Sequence, residues 1–222
     1  MQALKRYALL GSISLCVASS ACAADTAASP VVEARPYVGE LDVRAHVRNG
    51  TPMRRSGRGS AEFQPLSAKR SRLVVYGDLG ASGSNASQSG DAGFVVEGGM
   101  SAGSWLASGD DLRLSIAPDG AISGGGLVGS DRYTFSGQIG PDTFDLSVQI
   151  TPAAASRASA NGIESFVFDY ALKHQTQAST ERRTPRQARV KGSCRTIRYE
   201  PRMIANIGGD SMSSVQVPVC VE

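Results

Sequence analysis

The sequence is poor in the side chains that carry metal and acid–base chemistry. Histidine occurs twice, at His46 and His174, and the two lie far apart in the chain. No His-x-x-His or Cys-x-x-Cys spacing is present, and the acidic residues show no EF-hand-like spacing. Zinc sites need clustered histidine and cysteine ligands, and calcium loops need regularly spaced oxygen ligands. We therefore predict that the protein holds no metal and no cofactor; the alternative is a calcium ion at Asp110-Asp111 or in the glycine-rich residues 80–93.

Charged and aromatic residues are also scarce. They make up 19% and 6% of the chain, whereas glycine occurs 25 times in 222 residues. Little charge and much glycine favour short strands joined by turns over long, solvated helices. The regular alternation of strands with helices that is typical of α/β enzymes is missing as well. The chain is nevertheless long enough to bury a substantial core.

A regular alternation of apolar and polar residues runs through residues 111–151. A period of two puts one face of each strand on a core and the other in water. Turn-forming residues break the pattern at Pro118-Asp-Gly120 and Gly140-Pro-Asp142. We predict an antiparallel meander of about four strands, around which the fold is organised. Its apolar positions are Leu112, Leu114, Ile116, Tyr133, Phe135, Ile139, Phe144, Leu146, Val148 and Ile150.

Other strands flank this meander. Residues 37–48 alternate cleanly, and residues 73–79 are continuously apolar, as in a central strand. We interpret residues 54–58 as a basic loop and residues 61–64 as a short edge strand that Pro65 interrupts. Residues 163–172 place Phe166, Phe168 and Tyr170 on one face, and we predict that these three side chains face a ligand. Trp105 is predicted to lie in the core.

The N-terminus has the features of an export signal. Lys5 and Arg6 precede an apolar run over residues 7–17, and Ala21-Cys22-Ala23 is a small-x-small cleavage site. We predict a signal peptide over residues 1–23, a flexible leader over 24–36, and a periplasmic or secreted mature chain without a transmembrane span. The alternative is a lipoprotein that is anchored through Cys22.

Export also determines how the cysteines are interpreted. Cys16 and Cys22 belong to the signal region, which leaves Cys194 and Cys220 in the mature chain. Two thiols in an oxidising compartment are expected to form a disulfide. Two free thiols, or a bridge between chains, are the alternatives.

The expected fold is all-β: a single antiparallel β-barrel or β-sandwich of about eight to ten strands with a disulfide-closed C-terminal segment. The barrel or sandwich would span 37–172, a basic linker 173–193, and the C-terminal strands 194–222, packed on the same domain.

A basic segment, residues 182–202, follows the last predicted strand of the main domain. It has three interpretations: it binds an anionic partner such as a lipid or polysaccharide, it lies across the acidic residues 73–152 of its own chain, or it is a solvated linker. Aromatic residues are few here, which disfavours nucleic acid. The candidate anion-binding residues are Arg182, Arg183, Arg186, Arg189 and Lys191.

Two short motifs match enzyme signatures without the surrounding context. Gly99-Met-Ser101-Ala-Gly103 matches the Gly-x-Ser-x-Gly elbow of serine hydrolases, but no helix pattern follows it, and His174 is the sole later histidine. Gly124-Gly-Gly126-Leu-Val-Gly129 matches a dinucleotide fingerprint, yet the sequence continues as a strand. We interpret the latter glycines as a bulge or bend in a curved sheet.

Two strands of the meander end in the same way. We expect Ile122-Ser-Gly124 and Phe135-Ser-Gly137 each to close a strand with Ser-Gly. This sequence pattern resembles that of the barrel modules of transferrin-binding-protein-like surface proteins. The resemblance implies a barrel and identifies no site residue.

The sequence as a whole predicts a non-catalytic, exported binding or interaction protein of the cell envelope. Its partner would be a protein, a polysaccharide or a small apolar ligand. The candidate surfaces are the glycine-rich residues 80–93, the basic segment 182–202, and a cavity lined by Phe166, Phe168 and Tyr170. Two alternatives remain open: a small serine hydrolase that uses Ser101 and His174, and a component of cell-envelope assembly or of the cell surface.

Overall fold

The computed structural model describes residues 34–80, 91–109, 112–175, 194, 196–205 and 212–221. Their strands are β1 (Tyr37–Val47), β2 (Met53–Pro65), β3 (Arg70–Asp78), β4 (Asp91–Ser101), β5 (Ser104–Ser108), β6 (Leu112–Ile116), β7 (Ala121–Val128), β8 (Asp131–Ile139), β9 (Thr143–Thr151), β10 (Ile163–His174), β11 (Thr196–Ala205) and β12 (Met212–Val221), with one short helix, α1 (Arg157–Ala160), before β10. None of these elements is a helix long and apolar enough to cross a bilayer.

Strands β1 to β10 form a closed antiparallel barrel. Each strand pairs with its neighbours in sequence, and β1 closes the barrel against β10, with Leu41 opposite Tyr170. The predicted all-β fold with a single antiparallel barrel is therefore confirmed, and of the two architectures left open the chain adopts the barrel. The predicted meander corresponds to β6–β9, which pair in sequence order.

Inward-facing side chains fill the barrel. Trp105 is fully buried, as predicted, and its indole N–H donates a hydrogen bond to Ser71 Oγ at 2.9 Å. The Phe63 and Trp105 rings meet edge to face with centroids 5.5 Å apart, and Phe94 meets Phe135 at 5.4 Å. Such pairs add to the apolar burial. Because side chains occupy the interior, this part of the molecule is a packed core rather than an open cavity.

The strand predicted over residues 61–64 is present, but the loop predicted over 54–58 and the edge position are wrong. Both segments belong to one long strand, β2, which lies between β1 and β3 in a barrel that has no edge. The first half of β2 shows no alternation of apolar and polar residues because its inward positions, Gly57 and Gly59, are glycines. There is no room for a side chain at Gly59, where a Cβ atom would lie 2.9 Å from Cδ1 of Tyr170. Pro65 is tolerated because it is the last residue of the strand.

The glycines of β7 also make room for neighbours. The pairing of β7 with β6 and β8 continues without a change of register, so these glycines form no bulge. A Cβ atom on Gly124 would lie 2.2 Å from the carbonyl oxygen of Arg113 on β6. Glycine here permits a close approach of two strands, which explains why the dinucleotide-like spacing occurs in a barrel.

Strands β11 and β12 form a separate hairpin, which we call the C-terminal hairpin. It packs on the outer face of the barrel, where Ile204, Val215 and Val217 contact Val74, Tyr76 and Val95. Strand β3 is thus buried on both faces, which explains its continuously apolar sequence. The predicted disulfide between Cys194 and Cys220 is present, with Cα atoms 5.5 Å apart.

Candidate ligand cleft

The three aromatic side chains predicted to face a ligand lie on the inward face of β10. Tyr170 is buried in the barrel core, and Phe168 packs against the same core from a less buried position. A Cβ atom on Gly77 would lie 3.5 Å from the Tyr170 hydroxyl, so the glycines of β2 and β3 accommodate this ring. Burial raises the pKa of Tyr170 above its usual value. Tyr170 and Phe168 therefore belong to the barrel core rather than to an outer cleft, and Phe166 lies on the same face of β10 by strand alternation.

Ser101 lies in a setting that differs from a hydrolase elbow. It pairs with Ser104 across a tight turn in which Ala102 and Gly103 have positive φ values of 48° and 80°, so a strand follows rather than a helix. His174 Nε2 is buried and has no hydrogen-bond partner in the described part of the chain. The structure therefore does not join Ser101 to His174 through a hydrogen bond.

The candidate anion-binding residues Arg182, Arg183, Arg186, Arg189 and Lys191 lie outside the described residues, as do residues 1–33 and 81–90. Two bases at the end of the basic segment are described. Arg202 forms an ion pair with Glu200 at 2.9 Å, and its guanidinium lies 5.5 Å from the centre of the Tyr76 ring. Arg202 therefore contacts its own hairpin and barrel, whereas Arg198 is exposed.

A cleft of about 590 Å³ opens between the barrel and the C-terminal hairpin. Its floor is formed by the neighbouring strands β1, β2 and β3, and its wall by the last part of β12 together with the disulfide. The volume lies within the range of small-molecule sites, about 300–1,000 Å³. This cleft is the candidate functional site.

Side-chain hydrogen bonds hold the wall of the cleft in place. The Tyr199 hydroxyl donates to Glu62 Oε1 at 2.8 Å, and Gln64 Nε2 donates to the Gln216 carbonyl oxygen at 2.8 Å. Gln64 Nε2 also contacts Glu62 Oε2 at 3.1 Å. These bonds join β2 to both strands of the hairpin, so the hairpin is positioned by polar contacts as well as by its apolar face.

The wall has one unusual backbone feature. Because the Gln216 carbonyl points away from β11 to reach Gln64, residues of the same parity on β12 also direct their backbone groups away from β11. Pro218 is such a residue, and its missing N–H therefore interrupts no bond of the hairpin. Its carbonyl group lies on the free edge of β12, beside the cleft that Pro218 lines.

Ser60 is a buried polar residue in the lining of the cleft. The residue is 3% exposed, and its Oγ atom has no hydrogen-bond partner among the residues that the structure describes. Buried hydroxyls in folded proteins are nearly always hydrogen-bonded. Leaving one unsatisfied costs about 1–3 kcal/mol. Because Ser60 is one of the residues that line the cleft, its hydroxyl is the candidate hydrogen-bonding group for a ligand there.

Three charged residues cross the floor in one row. Glu40 on β1 is directly opposite Arg58 on β2, which is in turn opposite Asp78 on β3. Asp78 Oδ1 accepts a hydrogen bond from the Gly80 N–H at 2.7 Å. Arg58 has an interaction of its own and is not a free cation. Within the described ranges, no group of three or more potential metal ligands occurs.

Sequence reasoning did not identify this cleft. The sequence predicts a loop for residues 54–58 and no element for Gly59 and Ser60, and the opposite wall of the cleft comes from residues near the C-terminus. One signal was present: the small residues of 57–60 alternate with side chains that can face outward. Which other segment covers that outer face is set by the docking of the C-terminal hairpin, for which the local pattern contains no information.

No protein-family model matches the chain, and no curated protein matches it either.

Proposed function

We propose that this chain is an exported, non-catalytic binding protein whose ligand occupies the cleft between the C-terminal hairpin and the barrel. The observation that carries the proposal is Ser60, a residue that lines a concavity of ligand size and whose buried hydroxyl lacks a hydrogen-bond partner in the described chain. A ligand that supplies the missing partner recovers the cost of burying this group.

Other features support the same proposal. The barrel interior is filled, so the outer cleft offers more room for a ligand than the core does. The disulfide beside the cleft suits an oxidising compartment, as does the signal-like N-terminal sequence. We propose a periplasmic or secreted location on these grounds. A small ligand fits the cleft volume better than a polysaccharide or a protein surface does.

The experiment is a ligand-observed NMR screen of the mature chain against small molecules of positive, negative and no charge. Hits are mapped on the protein through their amide shifts. We expect the hits to perturb the amides of β1, β2 and the end of β12, and Ser60→Leu to abolish those shifts by filling the cleft.

The matched control is Ser136→Leu, which adds the same side chain at an exposed position of β8, a strand that does not line the cleft. This variant should bind as the parent chain does. Thermal unfolding of both variants shows that they are folded. Binding that persists in Ser60→Leu, or a screen in which no compound perturbs the cleft amides, would contradict the proposal.

A further inference from the structure

We infer that the cleft takes a small molecule with a primary ammonium group, an inference that rests on the proposed function. Glu40 and Asp78 both line the cleft, and neither forms an ion pair with a described residue. Two other carboxylates of the outer face do have cationic partners: Asp169 pairs with Arg44, and Glu97 with Arg70 at 3.1 Å. Within the described chain, the cleft carboxylates are therefore open to a cationic ligand.

The charge balance of the floor favours a cation. Two carboxylates face one guanidinium, and Arg58, which supplies the latter, already has an interaction. A primary ammonium restores neutrality when it binds. It also brings three N–H donors and no acceptor, which matches a site that is rich in acceptors.

Three kinds of acceptor are arranged around the cleft. Ser60 Oγ is buried without a partner among the described residues, and the Glu40 and Asp78 residues line the floor. Strand parity directs the Pro218 carbonyl to the edge of β12 that does not pair with β11. A charge-assisted hydrogen bond to a carboxylate is shorter and stronger than a neutral one. The apolar parts of the lining, Val38 and Val219, would contact the alkyl body of the ligand.

The same geometry disfavours an extended peptide. A strand added to the free edge of β12 needs successive N–H and C=O groups. Gln64 already occupies the Gln216 carbonyl, and Pro218 has no N–H to donate. The edge therefore offers only isolated hydrogen-bonding groups, which suit a compact ligand.

The test compares three probes that share an alkyl chain and differ in the head group: pentylamine, pentanol and pentanoate. Each is titrated into the mature, disulfide-bonded chain at neutral pH, and amide shifts report where it binds. We expect pentylamine to perturb the cleft amides and to bind at least about tenfold more tightly than the other two, because only it gains charge-assisted bonds.

Variants assign the binding to individual groups. Glu40→Gln and Asp78→Asn should each weaken pentylamine binding about tenfold. Ser60→Ala should weaken it severalfold. Asp145→Asn is the control, since Asp145 is an exposed carboxylate on β9 outside the cleft, and it should leave binding unchanged. Asp78→Asn retains an oxygen for the Gly80 N–H, and thermal unfolding checks that every variant is folded.

Two failures are distinguishable. Cleft binding by pentanol or pentanoate without binding by pentylamine would overturn the ammonium inference and leave the proposed function standing. No binding by the probes, together with no hit from the wider screen, would overturn both. Pentylamine binding that survives Glu40→Gln combined with Asp78→Asn, or tighter cleft binding of Ca²⁺ than of the amine, would also overturn the inference.

Discussion

Glu62 is a charged residue that the fold buries on the outer face of the barrel. Only 8% of its surface is exposed, and its carboxylate accepts hydrogen bonds from the Tyr199 hydroxyl and the Gln64 amide. A buried carboxylate without such donors would be strongly unfavourable. Since Tyr199 belongs to the C-terminal hairpin, the hydrogen bond also couples the docking of the hairpin to the ionisation of one phenol.

We expect stability to fall at high pH in part through Tyr199. Burial, followed by the hydrogen bond to Glu62 and the charge of Glu62, raises its pKa from 10.0 to about 12. The folded state binds this proton more tightly, so the stabilising contribution is complete below pH 10 and is lost as the pH rises through about 12. Phenolate absorbance during a pH titration should show this late ionisation.

The variant Tyr199→Phe tests that assignment. It should remove the late-titrating phenol and flatten the decrease in unfolding free energy between pH 10 and about 12. At neutral pH the substitution should lower the unfolding free energy by about 1 kcal/mol, because Glu62 loses one hydrogen-bond donor. A decrease in stability that is identical in the two proteins would contradict the role of Tyr199. The raised pKa values of Tyr170 and Tyr133 leave a residual slope in both.

At the level of secondary structure, the C-terminal hairpin has no strand pairing with the barrel. Its strands pair with each other. An isolated two-stranded hairpin is at best marginally stable in water. The hairpin therefore depends on its apolar contacts with β3 and β4 and on the disulfide that closes it. Reducing the disulfide or displacing the hairpin would also remove one wall of the cleft.

Val217→Asp should undock the hairpin. Val217 is completely buried against the barrel, and burying a valine contributes about 1.5–3 kcal/mol. We expect hydrogen exchange of the β11 and β12 amides to accelerate about tenfold or more, whereas β6–β9 stay protected. Ser214→Asp, with the same charge at an exposed position of β12, is the control. Equal loss of protection in β6–β9 would show that the hairpin and the barrel unfold as one unit.

At the scale of the whole molecule, closure of the barrel joins the two ends of the main domain. Strand β1 pairs with β10 along its length, from Tyr37 opposite His174 to Val47 opposite Ile163. Many of the stabilising contacts are therefore distant in sequence, which is typical of slowly folding β proteins. A closed barrel with one continuous core is expected to unfold cooperatively.

Leu172→Ala tests this cooperativity. Leu172 is buried on β10, and its truncation should cost about 2–5 kcal/mol. Trp105, the single tryptophan, lies five strands away on β5 and reports on the opposite side of the barrel. Its fluorescence transition should shift together with that of the far-ultraviolet circular dichroism. Ala171→Ser, at the exposed neighbouring position, should shift neither. A Trp105 transition that stays in place would indicate that the two halves of the barrel unfold separately.

The amino-acid sequence by itself determined the all-β class, the meander and the disulfide. The alternation of apolar and polar residues indicates which face of a strand is buried. This signal is strong in β6–β9 because large apolar side chains occupy their inward positions. The signal failed in β2, where Gly57 and Gly59 face inward. A hydrophobic pattern cannot reveal a strand whose inward positions are glycines without side chains.

Only the tertiary structure decided that the sheet closes and that a cleft exists. Local alternation does not specify which distant strand is a partner, so the pairing of β1 with β10 had to come from the assembled chain. The cleft likewise depends on docking: Glu40, Ser60 and Asp78 meet Pro218 and the disulfide only when the C-terminal hairpin packs on β3 and β4. A site shared by segments so far apart in sequence is a property of packing, and no single stretch of the chain encodes it.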